Sequence, residues 1–312
     1  MLETFFAALG VVFTMLVYSV PGFALVKCKL VKEESISAFA KLLMFICSPC
    51  LVFTSITKNE FSRELLTQLL IALIFATFSF LFGLILFYFV FKRKSGDVKY
   101  RIYNLATSLG NCAFMGVPVL EALFPDYPLA VAFSAMFSLA LNIIGWSVGS
   151  YIISRDKKYM SVKKIILNPA TIALFISIPF IVLGLSLPST IGTVVTLFSK
   201  MTTPLCMLIM GMRLACSSLK GVFFNPFQYL IVAIKQVFLP LVAFLILLVL
   251  PLDPQMKASI YILCACPVAS VVLNFSEMIG KGQKHAAYLV LLGTSLSIIT
   301  IPIMSLLLVF FN

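Results

Sequence analysis

The chain is a succession of long apolar runs separated by short polar breaks. Ten runs stand out, near residues 5–26, 36–57, 66–91, 102–120, 128–153, 169–187, 191–212, 227–250, 258–276 and 286–311. A helix needs ~20 apolar residues to cross a bilayer, and each run is close to that length. Backbone in hydrocarbon must satisfy its own hydrogen bonds, so such runs fold as helices. The alternation of a membrane β-strand is absent. Apolar residues make up 62% of the 312 and charged residues 11%, far from the composition of a soluble domain. A soluble enzyme and a disordered chain are both excluded. The expected fold class is an all-α polytopic membrane protein with ten transmembrane helices. The opening residues Met1–Phe6 carry Glu3 and no basic residue, so the first run reads as a retained helix, not a cleaved signal.

The net charge of +12 is a topology label, and no nucleic-acid partner is expected. With the N-terminus outside, the odd-numbered connections hold seventeen basic residues, at 27–32, 92–101, 155–164, 213–220 and 281–284. The even-numbered ones hold Lys58, Arg63 and Lys257. Basic residues collect on the cytoplasmic side. Both termini are therefore expected outside the cytoplasm, in a multi-pass protein of the cell membrane.

The two halves repeat. Ser48-Pro49-Cys50-Leu51 answers Thr203-Pro204-Leu205-Cys206 at a spacing of 155; Pro21 answers Pro179 at 158, and Glu121 answers Glu277 at 156. Residues 1–154 form one five-span unit, 155–168 a short cytoplasmic connection, and 169–312 the second unit. Five is odd, so the second unit is inverted relative to the first. Inverted repeats mark secondary transporters, with the site at the repeat interface.

Spans 4 and 9 are the least regular. Span 4 holds Gly110, Asn111, Gly116 and Pro118 within nine residues, and span 9 holds Cys266-Pro267-Val268-Ala269. Glycine and proline both weaken a helix interior. Pro267 lies 156 residues after Asn111, so both spans break at corresponding points. Gly110, Gly116, Pro118 and Pro267 are expected to shape the breaks. Gly110, Asn111, Cys112, Met115, Pro267, Val268 and Ala269 are expected to line the site, where half-helix N-termini and free backbone groups meet substrate. Two readings stand for Asn111: a donor to a substrate carboxylate, or an interhelical hydrogen bond. For Asn142 the second reading is preferred.

The charges inside the spans are basic. Lys41 reads as a snorkelling residue. Lys200 lies near mid-depth and either lines the pathway or pairs structurally; it joins the candidate substrate residues. Lys235 is also intramembrane. No acid lies deep in a span, which favours an anionic substrate over a cation or proton relay. Six cysteines fall in apolar runs and read as packing residues. Cys47-x-x-Cys50 lies inside a span, away from the exposed setting of redox chemistry. Met115, Met207 and Met210 read as core filler in preference to a soft-metal path. His285 stands alone and forms no zinc cluster. No nucleophile triad, P-loop or dinucleotide motif is present, so neither an enzyme, a cofactor nor a metal is expected.

These motifs look familiar together. Gly110-Asn111-Cys112-Ala113-Phe114-Met115-Gly116-Val117-Pro118 resembles the span-4 signature of the auxin efflux carrier family. Pro204-Leu205-Cys206-Met207-Leu208-Ile209-Met210-Gly211 resembles its span 7. Pro49–Phe53, Asn168-Pro169, Lys235 before Pro240, and Cys266-Pro267-Val268-Ala269 fit in the same order. The resemblance implies ten helices in two inverted five-helix repeats, with helices 4 and 9 broken and crossing, similar to the bile acid:sodium symporter fold. Similar folds imply a frame of spans 1, 2, 5, 6, 7 and 10 around moving spans 3, 4, 8 and 9. Plant members export auxin, and bacterial members are associated with malate or malonate. The long cytoplasmic loop of plant members is missing, which resembles the compact prokaryotic type. Plant members tend to have proline where this chain has Gly110. Lys200 is outside the family pattern.

The function expected is secondary transport of a small organic anion, a dicarboxylate or an auxin-like carboxylate, by alternating access in the lipid bilayer. A sodium-coupled symporter is the alternative, and H+ and Na+ both stand as coupling ions. A homodimer is compatible with the pattern. A membrane sensor and an intramembrane enzyme are the disfavoured readings.

Overall fold

The computed structural model describes residues 2–311 and contains helices and no strand among them. The chain runs through α1 (Leu2–Lys27), α2 (Glu33–Thr57), α3 (Arg63–Lys94), α4 (Val98–Ser108), α5 (Gly116–Leu123), α6 (Leu129–Ser154), α7 (Lys157–Val182), α8 (Ser189–Cys216), α9 (Pro226–Val249), α10 (Pro254–Ala265), α11 (Val271–Ile279) and α12 (Gln283–Phe311). Eight of these are long and apolar enough to cross a membrane. The other four are half-helices of 8 to 12 residues, too short at 1.5 Å per residue to span ~30 Å of hydrocarbon. They occupy the runs read as spans 4 and 9.

Local chemistry sets the helix starts. The Ser62 hydroxyl accepts the Leu65 N–H at 2.9 Å to open α3. Asp97 accepts from Lys99 at 2.9 Å for α4, and Asp253 from Met256 at 3.0 Å for α10. Asn168 accepts from Ala170 at 3.0 Å and starts the apolar part of α7 at Pro169. Each cap satisfies a donor that has no partner inside its helix. Gly280, at φ 66°, ends α11 in the left-handed conformation that glycine adopts without strain.

The 155–168 connection is more structured than its length suggests. It carries short turns at Lys157–Tyr159 and Val162–Ile166. The Ser161 N–H donates to the Trp146 carbonyl at 3.1 Å, and the Lys164 ammonium lies 4.4 Å from the centre of the Trp146 ring.

The long helices divide by packing. α8 packs on α1 and α2, and α7 packs on α2. The α1–α8 contact is glycine-dependent: a Cβ on Gly22 would run into the Leu208 carbonyl, and one on Gly211 into the Ser19 carbonyl. Small residues of this kind let membrane helices approach closely. α3 packs on α4 and α6, and α9 on α10 and α12. The expected frame is corrected here. α6, which occupies the run read as the fifth span, has its main face on α3, and α12, in the run read as the tenth, is shared between α1 and the α9–α11 group. Neither belongs to the frame alone.

Candidate functional site

The gap between α4 and α5 meets the gap between α10 and α11. Gly110 faces Val268 in an antiparallel bridge. The Asn111 N–H donates to the Pro267 carbonyl at 2.7 Å, and the Ala269 N–H to the Leu109 carbonyl at 3.0 Å. Backbone released from two helices is thus paired again, as hydrocarbon demands. Proline has no N–H to return, so the Asn111 carbonyl accepts instead from Met115 N–H at 3.3 Å. That bond turns the chain toward α5.

Seven of the sequence-selected residues come together here. Asn111 is 3% exposed, and its Nδ2 has no hydrogen-bond partner. A buried amide donor left unpaired costs ~1–3 kcal/mol. The buried Cys112 thiol lies 3.4 Å from the Gly110 and Leu263 carbonyls. Met115 is fully buried, and its sulfur accepts from Ser297 at 3.9 Å. Val268 and Ala269 are buried within the crossing. Gly116 starts α5 against span 9, where a Cβ would come within 2.7 Å of the Leu263 side chain. Pro118 is the third residue of α5, within the first turn, where a missing N–H costs little. It starts a helix, and the break lies at 109–115.

Lys200 is placed apart from these residues. It lies on the exposed stripe of α8 with Val194 and Leu197. Helix α8 packs on α1 and α2, and the inward side of α8 is carried instead by Ser199 and Thr202, which bond Thr54 and the Cys47 carbonyl. Depth along a span does not fix the face, and Lys200 is not among the residues buried at the crossing.

The cation at the crossing is Lys235. It sits in a π-turn of α9, Ile234–Phe238, a wide turn that recurs at functional sites. Its side chain is buried at 3% exposure, and Nζ donates to the Cys264 carbonyl at 2.8 Å. That carbonyl belongs to the last turn of α10, the negative end of the half-helix. Gly110 matters for the same reason, since a Cβ there would stand 3.1 Å from Lys235 Nζ. Beside the ammonium is a cavity of ≈ 30 Å³ lined by Ser79, Ser108, Lys235 and Cys264 among others, room for about one water. Gln236 next door donates to the Gly293 carbonyl at 2.7 Å and accepts from Thr300 at 3.1 Å. It ties α9 to α12 under the crossing. Two consecutive long polar side chains in an apolar run were the sequence signal for this pair. Asn142, by contrast, accepts from Asn168 at 3.1 Å, an interhelical hydrogen bond.

None of the eleven acidic residues is buried. The membrane interior of this protein thus holds an ammonium, an unpaired amide donor and no carboxylate.

A model of the membrane transport protein family matches residues 7–305. The chain belongs to this family. It is the family of the auxin efflux carriers that the span-4 and span-7 motifs resemble. A relative from Methanocaldococcus jannaschii, described as an uncharacterized transporter, is 25% identical over 284 residues, covering 88% of this chain and 90% of its own. Membership of the family makes the protein a membrane transporter, and the crossing of the broken helices is its candidate site.

Proposed function

We propose that the protein is a secondary transporter for a small organic anion, working by alternating access between two inverted five-helix repeats. The observation that carries this is the buried, unpaired Asn111 Nδ2 and the buried Lys235 side chain at one crossing, with no buried acid to offset them. In a low dielectric, a fixed positive charge and an unpaired donor favour a carboxylate. Gly110, Cys112, Met115, Pro267, Val268 and Ala269 supply the walls.

Element boundaries support the repeat. α4 starts at Val98 and α10 at Pro254, 156 residues on; α5 ends at Leu123 and α11 at Ile279, again 156. Equivalent segments that pair antiparallel run in opposite directions, which is what inversion requires. The fold is then ten spans, two of them broken, with both termini outside the cytoplasm. The ≈ 30 Å³ cavity is too small for a dicarboxylate, so substrate enters in another state of the cycle.

The test is uptake of labelled malate, malonate or indole-3-acetate by proteoliposomes, with and without Na+ and with and without a pH gradient. Asn111→Ala is expected to cut uptake at least tenfold while the protein stays folded. Unchanged flux in that variant removes Asn111 from the site. Uptake that needs Na+ selects the symporter reading.

A further inference from the structure

We propose that access to the site is controlled by two repeat-related ion pairs: Arg213–Glu277, made in this structure, and Lys58–Glu121, made in the opposite state. The proposal rests on the alternating-access reading above.

The first pair is direct. Arg213 Nη1 lies 2.9 Å from Glu277 Oε1, with side chains 23% and 49% exposed. Arg213 is in the last turn of α8, and Glu277 is near the end of α11. α8 packs on α1 and α2, whereas α11 packs on α12, α4 and α6. The ion pair therefore joins a frame helix to the second half of a broken span. The other ion pair among the described residues, Lys158–Asp156, is local to the connection.

The repeat supplies the second pair. The spacing of 155 that relates Ser48-Pro49 to Thr203-Pro204 also takes Lys58 to Arg213. The spacing of 156 takes Glu121 to Glu277. Glu121 helped define the register, but Lys58 did not, and only one position in about fourteen carries Lys or Arg. The structural settings match as well. Lys58 caps the end of α2, as Arg213 closes α8, and Glu121 lies near the end of α5, as Glu277 does in α11. Lys58 and Glu121 are both exposed and form no ion pair with each other.

The charge topology puts the two pairs at opposite membrane faces. Arg213 and Glu277 lie at odd-numbered connections, with the basic excess; Lys58 and Glu121 lie at even-numbered ones. Movement of the half-helices that parts one pair brings the other together. Exposed ion pairs are weak, which suits contacts that must break in every cycle.

The experiment is disulfide trapping, which needs no substrate. The protein carries Cys28→Ser and Cys216→Ser, and the pairs Lys58→Cys/Glu121→Cys and Arg213→Cys/Glu277→Cys are oxidised in membranes. Both pairs are expected to cross-link, and Glu277→Gln is expected to speed the Lys58→Cys/Glu121→Cys reaction about fivefold. The double swap Arg213→Glu/Glu277→Arg should restore the slower rate. A Lys58→Cys/Glu121→Cys pair that never cross-links, or a rate indifferent to Glu277→Gln, overturns the proposal. If trapping fails while Asn111→Ala still abolishes uptake, the gate alone is wrong. If trapping succeeds without uptake of any tested anion, the gate stands and the substrate assignment falls.

Discussion

Replacing Lys235 by methionine keeps most of the side-chain volume and removes the one buried charge at the crossing. A hydrogen bond to a charged group is worth ~1.5–3 kcal/mol, so anion uptake by the Lys235→Met protein should fall roughly ten- to a hundredfold. Lys200→Met, on the exposed stripe of α8, should stay within about twofold in the same assay. Equal losses would show that the two lysines share a role. The residue scale is also where the sequence is least legible. It places both lysines mid-span, and Asn111 and Pro267 at matching breaks. It cannot show which face a lysine occupies, because in a membrane protein the lipid-facing and core-facing sides are both apolar and the amphipathic signal of a soluble helix is lost. Only adjacent polarity, as at Lys235-Gln236, separates them.

At the scale of elements, the α1–α8 contact is the most exacting. Gly22 and Gly211 each meet backbone of the other helix, which has no flexible end to swing aside. Gly211→Ala should therefore destabilise by more than the ~1–3 kcal/mol of ordinary overpacking. A thermal-shift measurement in detergent should show a clear loss of Tm, or no monodisperse protein at all. Gly10→Ala, where a Cβ meets nothing within 4 Å, is the control and should leave Tm unchanged or slightly raised. The long helices were readable because span length is set by the bilayer. The half-helices were readable only as irregular spans, because their ends are fixed by pairing with a segment 156 residues away.

On the scale of the whole molecule, the two exposed cysteines report the topology. Cys28 and Cys216 are exposed, five others are buried, and Cys50 is partly so. Both exposed thiols lie at odd-numbered connections. A membrane-impermeant maleimide should leave them unlabelled in intact cells and label both in inverted vesicles. Labelling in intact cells would reverse the orientation drawn from the basic residues. The all-helical membrane fold was legible from the apolar runs, and the crossing of the two gaps was implied by family resemblance. The division of spans 5 and 10 between the two groups was not, since it depends on which faces pack.

The crossing also constrains how the protein is made. When α4 and α5 leave the ribosome, Asn111 N–H and the Leu109 carbonyl have no partner, because Pro267 and Ala269 are not yet synthesised. An unpaired backbone group in hydrocarbon costs several kcal/mol. The first broken span therefore completes its backbone hydrogen bonds only with the second. In the finished fold each half completes the other's backbone, so neither broken span is self-sufficient in hydrocarbon.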